Sequence, residues 1–384
     1  MSLLQTLSTY RLYIQAELLP GLEDWTGSKL SPRHEQLVSV LGMVRIEALL
    51  GAWPGLVGRP PCERAALARA FIAKAIFNHA TTRLLIDTLS ADRTLRRLCG
   101  WHRPSEVPSE STFSRAFAEF AACALPTRLH EALIMQTHAD RLVGHIARDS
   151  TAIEAREKPT KPTKPTQPAP QAAPRKRGRP RKGTIVAPKP PRRIERQLGM
   201  TLPAMLEDLP RYCDVGVKRN AKGYQESWIG YKLHIDSADG DIPISCLLTA
   251  ASVNDSQVAI PLATMTATRV TNLYDLMDSA YDVAEIRQHS RDLAHVPIID
   301  INPRVTPGLK QHLADEAARR RRIGHAAAEQ VRYRQRSAAE RVNSALKDSY
   351  GGRMVRVRGA SKVMCHLMFG VLSLTTLQLL RLLV

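Results

Sequence analysis

Val331–Lys347 reads VRYRQRSAAERVNSALK. Tyr333, Arg336, Glu340 and Lys347 recur there at steps of three, four and seven. On a helix of about 3.6 residues per turn that spacing gathers them within an arc of roughly 60°. Ala338, Val342, Ala345 and Leu346 fall on the opposite side. One face packs; the other sets a carboxylate among two cations and a phenol. Such cations suit an anionic ligand, and a lone Glu among them suits a hard divalent ion shared with that ligand. An exposed Arg-rich helix with intrahelical Glu–Arg pairs would carry the same charges, so the rest of the chain has to decide.

Two upstream aspartates bear on it. Leu142–Thr151, LVGHIARDST, reads as a strand with Val143, Ala147, Asp149 and Thr151 on one face. An Asp in such a run is costly to bury without a cation or hydrogen bonds. Leu273–Asp278, LYDLMD, reads as a second strand followed by a helix over SAYDVAEIRQH. Asp278 stands at its carboxyl end, where open α/β sheets place their ligands. Asp275 and Asp282 are the local competitors, and Asp282 reads as a first-turn helix charge. Between these strands, WIGYKLHID and IPISCLLTA make a hairpin around Asp239-Gly240. Asn254-Asp255 then reads as the cap of the next helix, with metal binding by Asp255 as the alternative. Val296–Ile301 is a further buried strand, and Asp300 reads as its end cap, with a supporting contact to the site as the alternative.

The first 135 residues read as helices punctuated by Pro and Gly. Phe113, Phe117 and Phe120 lie at i, i+4 and i+7 on one buried face. A small helical unit of this kind can lay a helix in a DNA groove, and Arg115, Ser111 and Ser114 are its candidate contacts, with a plain solvated face as the alternative.

Charge sets the partner class. The chain of 384 residues carries 55 Lys+Arg against 36 Asp+Glu, a net charge of +19, with 44% hydrophobic residues. So large a basic excess points to a polyanion, foremost nucleic acid. The six cysteines are scattered with no C-x-x-C, which argues against a zinc site or a disulfide framework and for a reducing, cytoplasmic setting. No signal peptide is expected at the N-terminus. The apolar tail Met364–Val384, broken by His366, Gln378 and Arg381, reads as a buried helix rather than a membrane span.

Residues 157–196 change character. KPTKPTKPTQPAPQAAP has nothing to bury and is expected to be extended and disordered. It runs into PRKRGRPRKG, in which Arg177, Gly178, Arg179 and Pro180 resemble an AT-hook core, with a generic basic linker that holds phosphates without preference as the alternative. Gly and Pro keep such a backbone thin enough for a narrow minor groove, along whose floor the two Arg side chains run.

Tyr-x2-Arg-x3-Glu-x6-Lys resembles the signature of bacterial insertion-sequence DDE transposases, which have a ribonuclease-H-like catalytic core. Asp149-Ser-Thr and DSAYD are similar to that family's first and second catalytic Asp segments, and GRPP…LRRLCG…VPSESTFSR to its N-terminal domain. The resemblance implies an α/β catalytic core, a mixed sheet flanked by helices, at 136–156 and 197–384. An all-α DNA-binding domain would occupy 1–135, and the Pro/Lys-rich insert 157–196. It further implies that Asp149, Asp278 and Glu340 hold two Mg²⁺ ions, or Mn²⁺, and that Tyr333, Arg336 and Lys347 hold terminal phosphates. The implied partner is double-stranded DNA, both element ends and target, bound by a homodimer with no membrane involved, on the bacterial nucleoid. Only 62 positions separate Asp278 from Glu340, too few for the large β-rich insertion some relatives carry. A DNA-binding protein without catalysis, or a metal-dependent nuclease that does not join strands, would share many of these features.

Overall fold

Apolar and β-branched residues are frequent in β1, Leu142–Glu154, and its pairing with a strand on each side makes it the strand around which the sheet is ordered. The computed structural model describes residues 3–50, 63–139, 141–160, 190–219, 223–303 and 308–382. The AT-hook-like residues Arg177, Gly178, Arg179 and Pro180 lie outside them, as does Cys62. The remaining strands are β2 (Asp214–Arg219), β3 (Gln225–Ala238), β4 (Ile242–Ala250), β5 (Thr271–Met277) and β6 (Val296–Ile299). The sheet runs β2-β3-β1-β5-β6, with β4 paired to β3 beside β2. β3 is antiparallel to β1, β2 and β4, whereas β1, β5 and β6 are parallel. This mixed sheet, flanked by helices and preceded by a helical region, is the ribonuclease-H-like architecture expected from the sequence.

The β3–β4 hairpin turns at Asp239-Gly240-Asp241, where Gly240 (φ 80°) and Asp241 (φ 60°) take the left-handed conformation that a tight hairpin requires. That turn is tied down on both sides. Asp239 Oδ2 accepts the Gly144 and His145 amides of β1 at 2.8 and 3.1 Å. Asp241 receives a bidentate Arg341 at 2.7 Å through each oxygen. Gly230 sits where β3 meets both β1 and β2; a Cβ there would lie 2.1 Å from the Ile153 carbonyl oxygen. Only glycine allows the two strands that approach.

The apolar tail is the helix Ala360–Arg381, buried along most of its length. It packs against Leu125–His138, Arg64–Ile76, Glu110–Ala122 and β4. Phe71 is the hub of that packing, with Phe113, Phe117, Phe120 and Phe369 rings 5.8, 4.9, 6.2 and 5.7 Å away. Each such ring removed from water contributes about 1.5–3 kcal/mol. The helical region and the sheet therefore share one continuous core. Cys99, Cys123, Cys213, Cys246 and Cys365 are free thiols.

The stretch Val331–Lys347 is not one helix. Ala328–Tyr333 ends in a 3₁₀ turn, Arg334–Arg336, before the helix Ser337–Ser349 begins. The tighter turn shifts Tyr333 out of the uniform helical register from which its face was read.

Candidate active site

β1 offers one of its faces to the helix Ser337–Ser349. Ala147 meets Ala338 and Ala339 there, and these small side chains let helix and strand close together. Two residues along the same face, Asp149 Oδ2 accepts a hydrogen bond from Asn343 Nδ2 at 3.2 Å. Burial pushes the Asp149 carboxyl up to about 6; the Asp278 and Asp255 carboxylates push the same way, while the Ser150 amide and Arg336 oppose them.

Asp278 follows the last residue of β5 and caps the 3₁₀ turn Ser279–Tyr281 by accepting the Ala280 amide at 2.8 Å. Burial raises its pKa also, helped by the charges of Asp255 and Asp300 and opposed by Ala280 and Arg336. The buried Tyr281 phenol registers the same grouping: desolvation first, then Asp255, Asp149 and Asp278, hold it well above the usual range. Asp149 and Asp278, 129 positions apart in the chain, thus share one neighbourhood.

Glu340 stands at its edge. Its side chain is 56% exposed and takes an ion pair from Arg336 at 2.5 Å. Arg336 reaches into the acidic group, stacks 5.6 Å from the Tyr333 ring, and is the cation opposing the charges of Asp149 and Asp278. Among the described residues, no three His, Cys, Asp or Glu side chains stand close enough to hold a metal ion. Two of the three expected carboxylates come together, and the third is engaged by a guanidinium one turn away.

Tyr333 donates its hydroxyl to Asp300 Oδ2 at 2.7 Å. Asp300 therefore takes the supporting contact rather than a strand-end cap. Lys347 lies two turns beyond Glu340, roughly 10 Å along the helix, where its charged neighbours are Lys218, Arg353, Glu154 and Asp348. Tyr333, Arg336 and Glu340 thus touch one another in turn, while Lys347 stands apart from them. Asp275 is excluded from it: fully buried on the opposite face of β5, it bonds His295 at 3.2 Å and Asn272 at 3.2 Å. Asp282 is occupied by Arg287 at 2.9 Å and by the Asn302 amide at 2.8 Å.

Asp255 is the residue that reading from spacing undervalued. Asn254 caps the helix Ser256–Ala267 by accepting the Ser256 amide at 3.1 Å, and Asp255 makes no capping bond. Its Oδ1 instead accepts Ser150 Oγ at 2.9 Å and Lys232 Nζ at 3.0 Å. Lys232 and His234 alternate along β3, which was the available signal that a charge faces them. Beneath Asp149, Arg148 and Asp236 form a fully buried pair at 2.8 and 2.7 Å, and Thr266 adds a third bond to Asp236 at 2.7 Å.

The chain matches the family model described as transposase DDE domain over residues 145–376, more than half its length. It also matches the transposase domain DUF772 over residues 28–119. No curated protein and no solved structure matches it. The DDE match runs from β1 into the C-terminal helix and spans Asp149, Asp278 and the whole segment from Tyr333 to Lys347. The chain belongs to the DDE transposases of insertion sequences.

Proposed function

We propose that the chain binds the ends of its insertion sequence, hydrolyses the phosphodiester there, and joins the freed 3′-hydroxyl to target DNA. In this reading Asp149, Asp278 and Glu340 hold two Mg²⁺ ions, with Mn²⁺ acceptable to the same donors. Their carboxylate oxygens are hard ligands of the kind these ions select. The crowding of Asp149 and Asp278 by like charge is a repulsion that divalent cations relieve. When bound, such a pair of ions supplies an activated oxygen nucleophile and charge to stabilise the leaving oxygen.

The protein's own groups orient that chemistry. Arg336 exchanges its pair with Glu340 for a DNA phosphate, which frees the Glu340 carboxylate to turn toward Asp149 and Asp278. Tyr333, fixed by Asp300, braces the guanidinium through its ring. Lys347 takes a phosphate farther along the strand. The helical region 1–135 grips the element ends, residues 157–196 add affinity for A·T-rich duplex, and two copies bridge the two ends on the bacterial nucleoid.

The observation that carries this reading is the approach of Asp149, Asp278 and Arg336 from three distant stretches of one DDE-matched segment. The test uses a duplex bearing the terminal inverted repeat that flanks the gene, a target plasmid and Mg²⁺. Glu340→Gln should lose cleavage at least a hundredfold while retaining DNA binding. Cleavage at the parental rate in that variant rejects the site. Cut ends that never enter the plasmid in the parent would make the chain a nuclease without strand transfer.

A further inference from the structure

Away from the carboxylates, a cavity of about 380 Å³ opens between the helical region and the segment leading into the C-terminal helix. Its floor is aromatic, with Phe71, Phe117 and Phe369 contributing. Lys74, on the helix Arg64–Ile76, lines it and is only 8% exposed. The ammonium has no hydrogen-bond or ion-pair partner among the described residues. Burial alone lowers its pKa to about 8. His79 Nε2, in the same cavity, is likewise buried without a partner among the described residues. An ammonium that ends a buried side chain lining the cavity, and a buried ring nitrogen, neither with a partner among the described residues, form a place prepared for a polar group brought from outside.

The rim agrees in sign. Arg156, Arg356, Arg358 and Lys362 surround the opening, and among the described residues Glu110 is the one carboxylate lining it. The rim is held in place: Arg358 Nε donates to the Arg156 carbonyl at 3.1 Å, and Glu157 accepts the Gly359 amide at 3.1 Å and the Tyr231 hydroxyl at 2.6 Å. Arg156 lies seven residues beyond Asp149, just past the end of β1. At about 3.3 Å per residue that is roughly 23 Å, or about seven phosphate steps of duplex DNA at 3.4 Å each.

We propose that this cavity is a second DNA contact, seating one backbone phosphate of the duplex internal to the end held at the carboxylates, with Lys74 Nζ and the Nε2–H tautomer of His79 as its donors. It rests on the DNA-transposase reading for its partner but not for its geometry. The phosphate diester is an anion at all working pH values, needs two or three donors, and accepts them from a low-dielectric floor that strengthens each bond.

The test compares the parent with Lys74→Met and, as a rim variant outside the core, Arg156→Ala, which should also weaken duplex binding, and whose unchanged affinity and salt slope would equally overturn the proposal. The Met side chain keeps the bulk and removes an unpaired buried charge, so the variant should melt no lower than the parent. Binding of a 30-base-pair element-end duplex, measured with Ca²⁺ across a salt series, should weaken about tenfold in Lys74→Met. The slope of log K against log salt should fall by about 0.9, the value for one phosphate. Inorganic phosphate should raise the melting temperature of the parent but not of Lys74→Met. Unchanged affinity and slope in a folded Lys74→Met, or the same loss for a duplex too short to reach the cavity, overturns the proposal. Stabilisation by free phosphate with duplex binding unaltered also overturns it and assigns the cavity to a small anion. Asp149→Asn serves as the separate control: cleavage intact in that variant would sink the active-site reading while leaving the cavity result standing.

Discussion

Asp149 should make the metal-free protein less stable than it would be with an amide in its place. Burial and neighbouring carboxylates move its carboxyl from 3.8 to about 6. At 1.36 kcal/mol per pKa unit, keeping it ionised at pH 7.5 costs about 3 kcal/mol relative to the unfolded chain. The sign follows from proton binding. Between about pH 4 and 6 the folded state holds more protons than the unfolded one, so stability falls as pH rises through that window. Asp149→Asn removes the charge, and its amide oxygen can still accept from Asn343, whose bond to Asp149 spans 3.2 Å. Urea unfolding in EDTA at pH 7.5 should therefore show the variant more stable by about 2–3 kcal/mol, with the difference shrinking toward zero at pH 4. Saturating Mg²⁺ should stabilise the parent and not the variant. An Asn variant equal to or weaker than the parent at pH 7.5 in EDTA would refute the claim that this carboxylate is held against its own electrostatics.

Two further expectations test what surrounds the site. Asp236→Asn leaves the Arg148 guanidinium, 2% exposed, without its carboxylate, and should cost about 3–5 kcal/mol by urea titration; a loss under 1 kcal/mol would mean the pair is not dry. Asp255→Asn removes a charge that raises the pKa of both Asp149 and Asp278, so the acid limb of the pH–rate profile for end cleavage should move to lower pH, and an unmoved or rising limb contradicts it.

The sequence by itself determined a good deal. Period-two alternation is a local property of the backbone, so β1 and β5 and the aspartates within and just after them, Asp149 and Asp278, could be read directly. Asp-Gly at the β3–β4 turn and the Phe113/Phe117/Phe120 stripe are likewise short-range signals that the fold obeys. The basic excess pointed to a polyanion without any structure. Tertiary structure decided what each charge faces, because that depends on groups far apart in the chain. Asp255 turned from a cap into the partner of Lys232 and Ser150, Asp300 into the acceptor of Tyr333, and Glu340 into the partner of Arg336. Nor could spacing foresee the 3₁₀ turn that splits the signature segment, or the meeting of Lys74 and His79 with Arg156 around one cavity. Residue type states which charges a chain carries; only packing states how much water each one loses and which counter-charge replaces it.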